Sequence, residues 1–174
     1  MVQARSPLGP VVAVTGAALL ALSVFLPWYS VSITATGAAY AQQAMSSVAQ
    51  QYGNATLQAA ADTVGSRFSA LAGHPLGTVT AHETLKTLSV VLLLLAAAAF
   101  VGALVWLAEA NAPIEVDGRQ VAAAGVVAAL VVLFRMVDHP GASSAFVSLS
   151  LSWGIWLALV SSAAIVAGGV IGRR

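Results

Sequence analysis

Apolar residues fill this chain in four long runs, at positions 10–28, 88–106, 121–137 and 149–171, and the polar stretches fall between them. A helix rising about 1.5 Å per residue needs roughly 17–25 such residues to cross some 30 Å of hydrocarbon. The pattern predicts an all-α, polytopic membrane protein: a four-transmembrane-helix bundle with those runs as its spans. Helix punctuation agrees. Gly9-Pro10 puts proline at an early helical position, and Thr80-Ala81-His82-Glu83 reads as a capping box ahead of the second run. Asp117 with Gln120 repeats that logic before the third run, which Asp138-His139-Pro140-Gly141 ends.

Between the first two runs, residues 29–80 are too many for a bare loop and too poor in proline and charge for a disordered one. Leu57, Ala61, Val64, Phe68 and Leu71 recur at helical spacing, and Ala41, Met45, Val48 and Tyr52 do the same. Two short amphipathic helices broken near Gly53-Asn54 are predicted, their apolar faces packed on each other and on the end of the bundle, with capture of a partner as the alternative. Residues 1–174 then form one membrane domain with 29–80 as a small helical cap.

Composition strengthens the membrane reading. Charged residues make up 7% of the chain, against about 25% in soluble proteins, and mean hydropathy is +0.91. Seven basic and six acidic residues leave a net charge of +1, which gives no footprint for nucleic acid and no polybasic run for an anionic membrane surface. The absence of cysteine excludes thiol redox chemistry and cysteine-ligated metals. Arg5 before an apolar run and the A-x-A-like Ala39-Tyr40-Ala41 resemble a signal peptide. However, the run exceeds the roughly 7–15 residues of such a segment, and an uncleaved first span is expected. Arg5, Arg119, Arg173 and Arg174 fall on one side of the spans and Arg67, Lys86 and Arg135 on or near the other. Positive charge therefore predicts both termini in the cytoplasm and residues 29–80 outside the cell membrane.

The distinctive side chains concentrate at the predicted outer face. Trp28, Tyr29, Trp153 and Trp156 suit an interfacial aromatic belt. Arg135 lies about one turn inside its helix end, where an unpaired guanidinium is costly, on the order of 2.5–3.5 kcal/mol at the bilayer centre and less near the edge. Asp138, three residues on, and Glu83, starting a neighbouring span, are the expected carboxylate partners in a structural clamp; snorkelling and a binding role are the alternatives. His82, Glu83, Asp138 and His139 could ligate zinc, yet their spacing matches no metal motif, and no metal or cofactor is expected. Ala164, Gly168 and Gly172 form a small-residue ridge for helix packing, within the chain or between copies.

Three end motifs carry a family resemblance: Phe25-Leu26-Pro27-Trp28-Tyr29-Ser30 closing the first span, Leu133-Phe134-Arg135 with Asp138 and Pro140-Gly141 closing the third, and Trp153-Gly154-Ile155-Trp156-Leu157-Ala158-Leu159 opening the fourth. Together these resemble small four-span integral membrane proteins of actinobacterial type. The likeness covers the spans but not residues 32–77, and His82 stands where an aromatic is more usual. It implies a fold and an envelope location, and no reaction. The expected function is a non-catalytic accessory or scaffold subunit of an envelope complex or homo-oligomer, in contact with the lipid bilayer. A small transporter or channel is the alternative, with Thr15, Ser23, Ser161 or Ser162 lining a pore between copies. An enzyme or binder for a lipid-soluble substrate at the outer face is the third reading.

Overall fold

A computed structural model describes residues 7–84, 86–108, 117–138 and 144–171. Among the described residues 76% are helical, and three helices are long and apolar enough to cross a membrane: α5 (Lys86–Leu107), α6 (Gly118–Val137) and α7 (Trp153–Ile171). A fourth apolar helix, α1 (Leu8–Ser23), has 16 residues. The remaining elements are β1 (Pro27–Ile33), α2 (Ala35–Gln51), α3 (Ala55–Leu71), β2 (Pro75–Thr80), the short α4 (Ala81–Thr84) and β3 (Val147–Leu151).

By its contacts the chain divides into two compact units. One takes residues 1–28, 80–138 and 152–174, and the other 29–79 and 139–151.

In the helical unit, α7 packs on α1 and α6, and α5 packs on the same two helices. Small residues bring the backbones together. A Cβ built on Gly168 would lie 2.6 Å from the Gly9 carbonyl oxygen of α1, while one on the adjacent Gly169 would lie 2.6 Å from the Gly118 carbonyl oxygen of α6. Of the ridge expected from Ala164, Gly168 and Gly172, Gly168 faces α1 and Ala164 lies beside Gly16. Gly172 lies outside the described residues. Asp117 caps α6, its carboxylate accepting from the Arg119 amide at 3.4 Å.

The other unit holds the predicted helix pair, α2 and α3, separated by Tyr52-Gly53-Asn54. Gly53 adopts φ +60°, a left-handed turn that glycine enters without strain, and the Asn54 side chain caps α3 through the Thr56 amide. The predicted face is only partly covered: Ala61 is buried and Phe68 half-buried, but Leu57, Val64 and Leu71 stay exposed, and Gly65, outside that series, lies against the Gln42 side chain of α2. Small residues let the helices approach more closely than a leucine seam would.

This unit also contains a three-stranded sheet of order β2-β1-β3, which corrects the all-helical expectation. β1 and β3 pair antiparallel in the register Tyr29–Leu151, Val31–Leu149 and Ile33–Val147, with Ser30 and Ser32 opposite Ser150 and Ser148. The serine hydroxyls meet across the strands at 2.7 and 2.8 Å, so one face is apolar and the other polar. Residues 24–28 and 149–152, read from sequence as span ends, accordingly fall outside α1 and α7.

Candidate functional site

Among the described residues of the predicted outer-face cluster, Arg135 and Asp138 form an ion pair. Arg135 lies in the last turn of α6 and Asp138 is its cap residue. The Arg135 Nη1 donates to the Asp138 carbonyl oxygen at 2.8 Å and stands 3.6 Å from Oδ2. The arginine side chain is 12% exposed and the aspartate 62%. The guanidinium is folded back over the helix end, where it satisfies one of the final carbonyls and faces the negative pole of the helix. A carboxylate that exposed is screened, and its attraction contributes about 0–1 kcal/mol. The backbone carbonyl is therefore the more consequential partner.

Arg135→Ala removes that bond together with the packing of a buried stem, and is expected to lower stability by ~1–2 kcal/mol. Arg67→Ala on the exposed side of α3 should stay within ~0.5 kcal/mol. Asp138→Ala leaves the carbonyl in place. The coupling between Arg135→Ala and Asp138→Ala in thermal melts of the detergent-solubilised protein is thus expected below ~1 kcal/mol, and a larger value would make the carboxylate the main partner.

Glu83 belongs to a different structure. The Thr80 amide and hydroxyl both donate to Glu83 Oε2 at 3.0 Å, and the Glu83 amide donates to Thr80 Oγ1 at 3.2 Å. This is the predicted capping box, closed reciprocally. The Thr80 amide first, and its hydroxyl second, hold the Glu83 carboxyl below its ordinary 4.5. A lowered folded-state value means that the box stabilises the helix start fully above that ordinary value and loses its contribution as pH falls through the folded-state value below it. The melting-temperature gap between the wild type and Glu83→Ala is expected to be constant near neutrality and to close on acidification below about pH 4.5.

His82 is exposed and its ring lies 5.9 Å from that of Phe25, two residues past the end of α1. His139 lies outside the described residues. Among the described residues no hydrogen bond or ion pair joins the Arg135–Asp138 pair to His82 or Glu83, and no three His, Asp or Glu side chains are grouped to hold a metal ion.

The predicted aromatic belt is split. Trp153 and Trp156 are exposed on the first turn of α7, whereas Trp28 and Tyr29 are buried in β1. Trp28 donates its indole Nε1–H to the Ser23 carbonyl oxygen at 2.7 Å, and its own carbonyl accepts from the Ser152 amide at 2.8 Å. Pro27 cannot continue the α1 hydrogen-bond ladder, and the chain turns Trp28 inward instead of toward a headgroup layer.

One feature escaped the sequence reading. A groove of about 810 Å³ runs between α1 and α5, lined entirely by apolar side chains. Five of its lining residues are alanines, with Ala17 and Ala96 buried, and the larger ones include Leu22, Phe25 and Phe100. The alanines were visible in the sequence, but their juxtaposition on two helices far apart in the chain was not.

No family model, curated protein or solved structure matches this chain.

Proposed function

We propose that this chain is a non-catalytic integral membrane protein that acts as an accessory or scaffold subunit, within a larger envelope complex or a homo-oligomer. In this reading α1, α5, α6 and α7 are four spans of the cell membrane, both termini are cytoplasmic, and the α2–α3 unit is an extracytoplasmic cap. The four spans would correspond to those of the small actinobacterial proteins that the end motifs resemble. A membrane role for α1 is supported by its apolar character all round, with Ala13, Ala17 and Leu20 buried while Leu8, Val11, Leu19 and Leu22 are exposed. At about 24 Å it is short, a mismatch that local bilayer thinning accommodates.

The observation that carries the scaffold reading is the apolar stripe on the cap. Leu57, Val64 and Leu71 recur every seven residues along α3 and are all exposed, and α2 exposes Val48 and Tyr52, the tyrosine at its C-cap. Large apolar side chains left uncovered at regular helical spacing suit a partner surface. The pore reading finds less support. The hydroxyls of Thr15, Ser23, Ser161 and Ser162 each donate to a carbonyl three or four residues back in their own helix.

A photo-crosslinking residue at Val64, in the full chain expressed at its native level, is expected to give a discrete adduct in native membranes. With the photo-crosslinking residue kept at Val64, Leu57→Asp together with Leu71→Asp should abolish the adduct without lowering the melting temperature. If the solubilised protein ran as an isolated monomer and crosslinked to nothing, the scaffold reading would fail.

A further inference from the structure

We propose that the groove between α1 and α5 is a binding site for one anionic membrane lipid, whose hydrocarbon chains lie in the groove and whose phosphate meets Lys86. The proposal rests on the membrane reading of these helices but not on the scaffold role.

The first observation is the shape of the groove. Its lining on α5 runs from Val90 to Val101, about 17 Å of helix, close to the depth of one leaflet of a roughly 30 Å hydrocarbon core. Small alanines interspersed with bulkier leucine and phenylalanine side chains make an apolar channel suited to a flexible chain, and its volume falls in the usual range for ligand sites of about 300–1,000 Å³.

The second observation is charge at one end. Lys86 begins α5 and heads the helical stripe Lys86, Val90, Leu94, Ala97 and Val101, four of whose members line the groove. It is exposed and makes no ion pair among the described residues. The nearby carboxylate of Glu83 is turned to the Thr80 amide and hydroxyl. Phe25, just past the end of α1 and lining the groove, has its ring 5.9 Å from that of His82 at a tilt of 39°, which adds a second nitrogen-bearing side chain at the same end. An apolar slot one leaflet deep with a cation at its mouth matches an amphiphile carrying a phosphate headgroup. This is a single-lipid site, distinct from the adsorption to an anionic surface that the near-neutral composition argues against.

The test uses the full-length protein in mild detergent, titrated with phosphatidylglycerol, phosphatidylcholine or inorganic phosphate and read by native mass spectrometry. Wild type is expected to retain phosphatidylglycerol roughly fivefold more tightly than phosphatidylcholine, the scale of one lysine contact with an anionic lipid. Lys86→Gln, an exposed change that leaves the fold intact, should remove that preference while both lipids still bind. Ala97→Trp should weaken both, and Leu130→Trp on the exposed side of α6 should weaken neither. Three outcomes would overturn the proposal. The preference could survive Lys86→Gln. Inorganic phosphate alone could bind at Lys86, which would reassign the site to a free anion. Or Ala18→Cys could trap a disulfide dimer in lipid, which would put a second copy of the chain in the groove.

Discussion

Leucine in place of Gly169 is expected to be among the most damaging single changes in the helical unit, destabilising it by ~3 kcal/mol or more. A Cβ at this position would lie 2.6 Å from the Gly118 carbonyl oxygen and 2.7 Å from the Ala122 amide nitrogen. The obstruction is reciprocal, because a Cβ on Gly118 would lie 2.5 Å from the Gly169 carbonyl oxygen. Overpacking a core against side chains costs about 1–3 kcal/mol, since rotamers can shift to make room. Here the neighbours are backbone atoms of α6, so the helices themselves must separate. Gly168→Leu should be comparably damaging against α1, where a Cβ would meet the Gly9 oxygen and the Ala13 nitrogen, both at 2.6 Å. Ala167→Leu, one residue away on the exposed side of α7, is the control and should stay within ~0.5 kcal/mol. Unfolding of the three variants in mixed detergent micelles checks the order. Equal stability of Gly169→Leu and Ala167→Leu would contradict the close α6–α7 contact.

The long helices were legible in the sequence because an apolar run of that length has few other stable solutions. The ends of those runs were not. Summed hydrophobicity assigns Leu149 and Leu151 to the last span, yet Val147-Ser148-Leu149-Ser150-Leu151 alternates with a period of two, as does Tyr29-Ser30-Val31-Ser32-Ile33. That alternation is a strand signal, and the two segments pair through Ser30–Ser150 and Ser32–Ser148. Attention to period as well as to hydropathy would have found β1 and β3. Within the α2–α3 pair, the break at Gly53-Asn54 was legible from turn chemistry, whereas of the apolar series only Ala61 and Phe68 are covered, and the contact of Gly65 with Gln42 has no hydrophobic signature.

The site divides along the same line between local and tertiary information. The Thr80–Glu83 box spans four residues and follows from residue types at fixed spacing. The Arg135–Asp138 pair also lies within one helical turn, but among the described residues the acceptor closest to the guanidinium is a backbone oxygen, which every residue possesses and no side-chain pattern announces. The α1–α5 groove joins residues some 70 positions apart, such as Phe25 and Ala97, and only tertiary packing brings them to one cavity.

Trp28→Ala should destabilise the protein by ~3–5 kcal/mol, the range for deleting a fully buried tryptophan. Its indole hydrogen bond to Ser23 secures the last turn of α1, its carbonyl holds the Ser152 amide immediately before α7, and its ring occupies the space beside Gly154. Removing the side chain therefore empties a site shared by the end of one long helix and the start of another. Trp28→Phe separates packing from hydrogen bonding. Most of the apolar contact survives, and the Ser23 oxygen still accepts from the Leu26 amide at 3.2 Å, so the loss should be nearer ~1 kcal/mol. Trp153→Ala provides the contrast. That ring is more than half exposed, and its removal should change stability by less than ~1 kcal/mol. The expected order of melting temperatures in detergent is wild type, then Trp153→Ala close to Trp28→Phe, then Trp28→Ala well below both. If Trp28→Ala melted with Trp153→Ala, Trp28 would be an interfacial anchor of the kind its position in the sequence first suggested. A large gap between them would identify the turn after α1 as a packed joint of the helical unit.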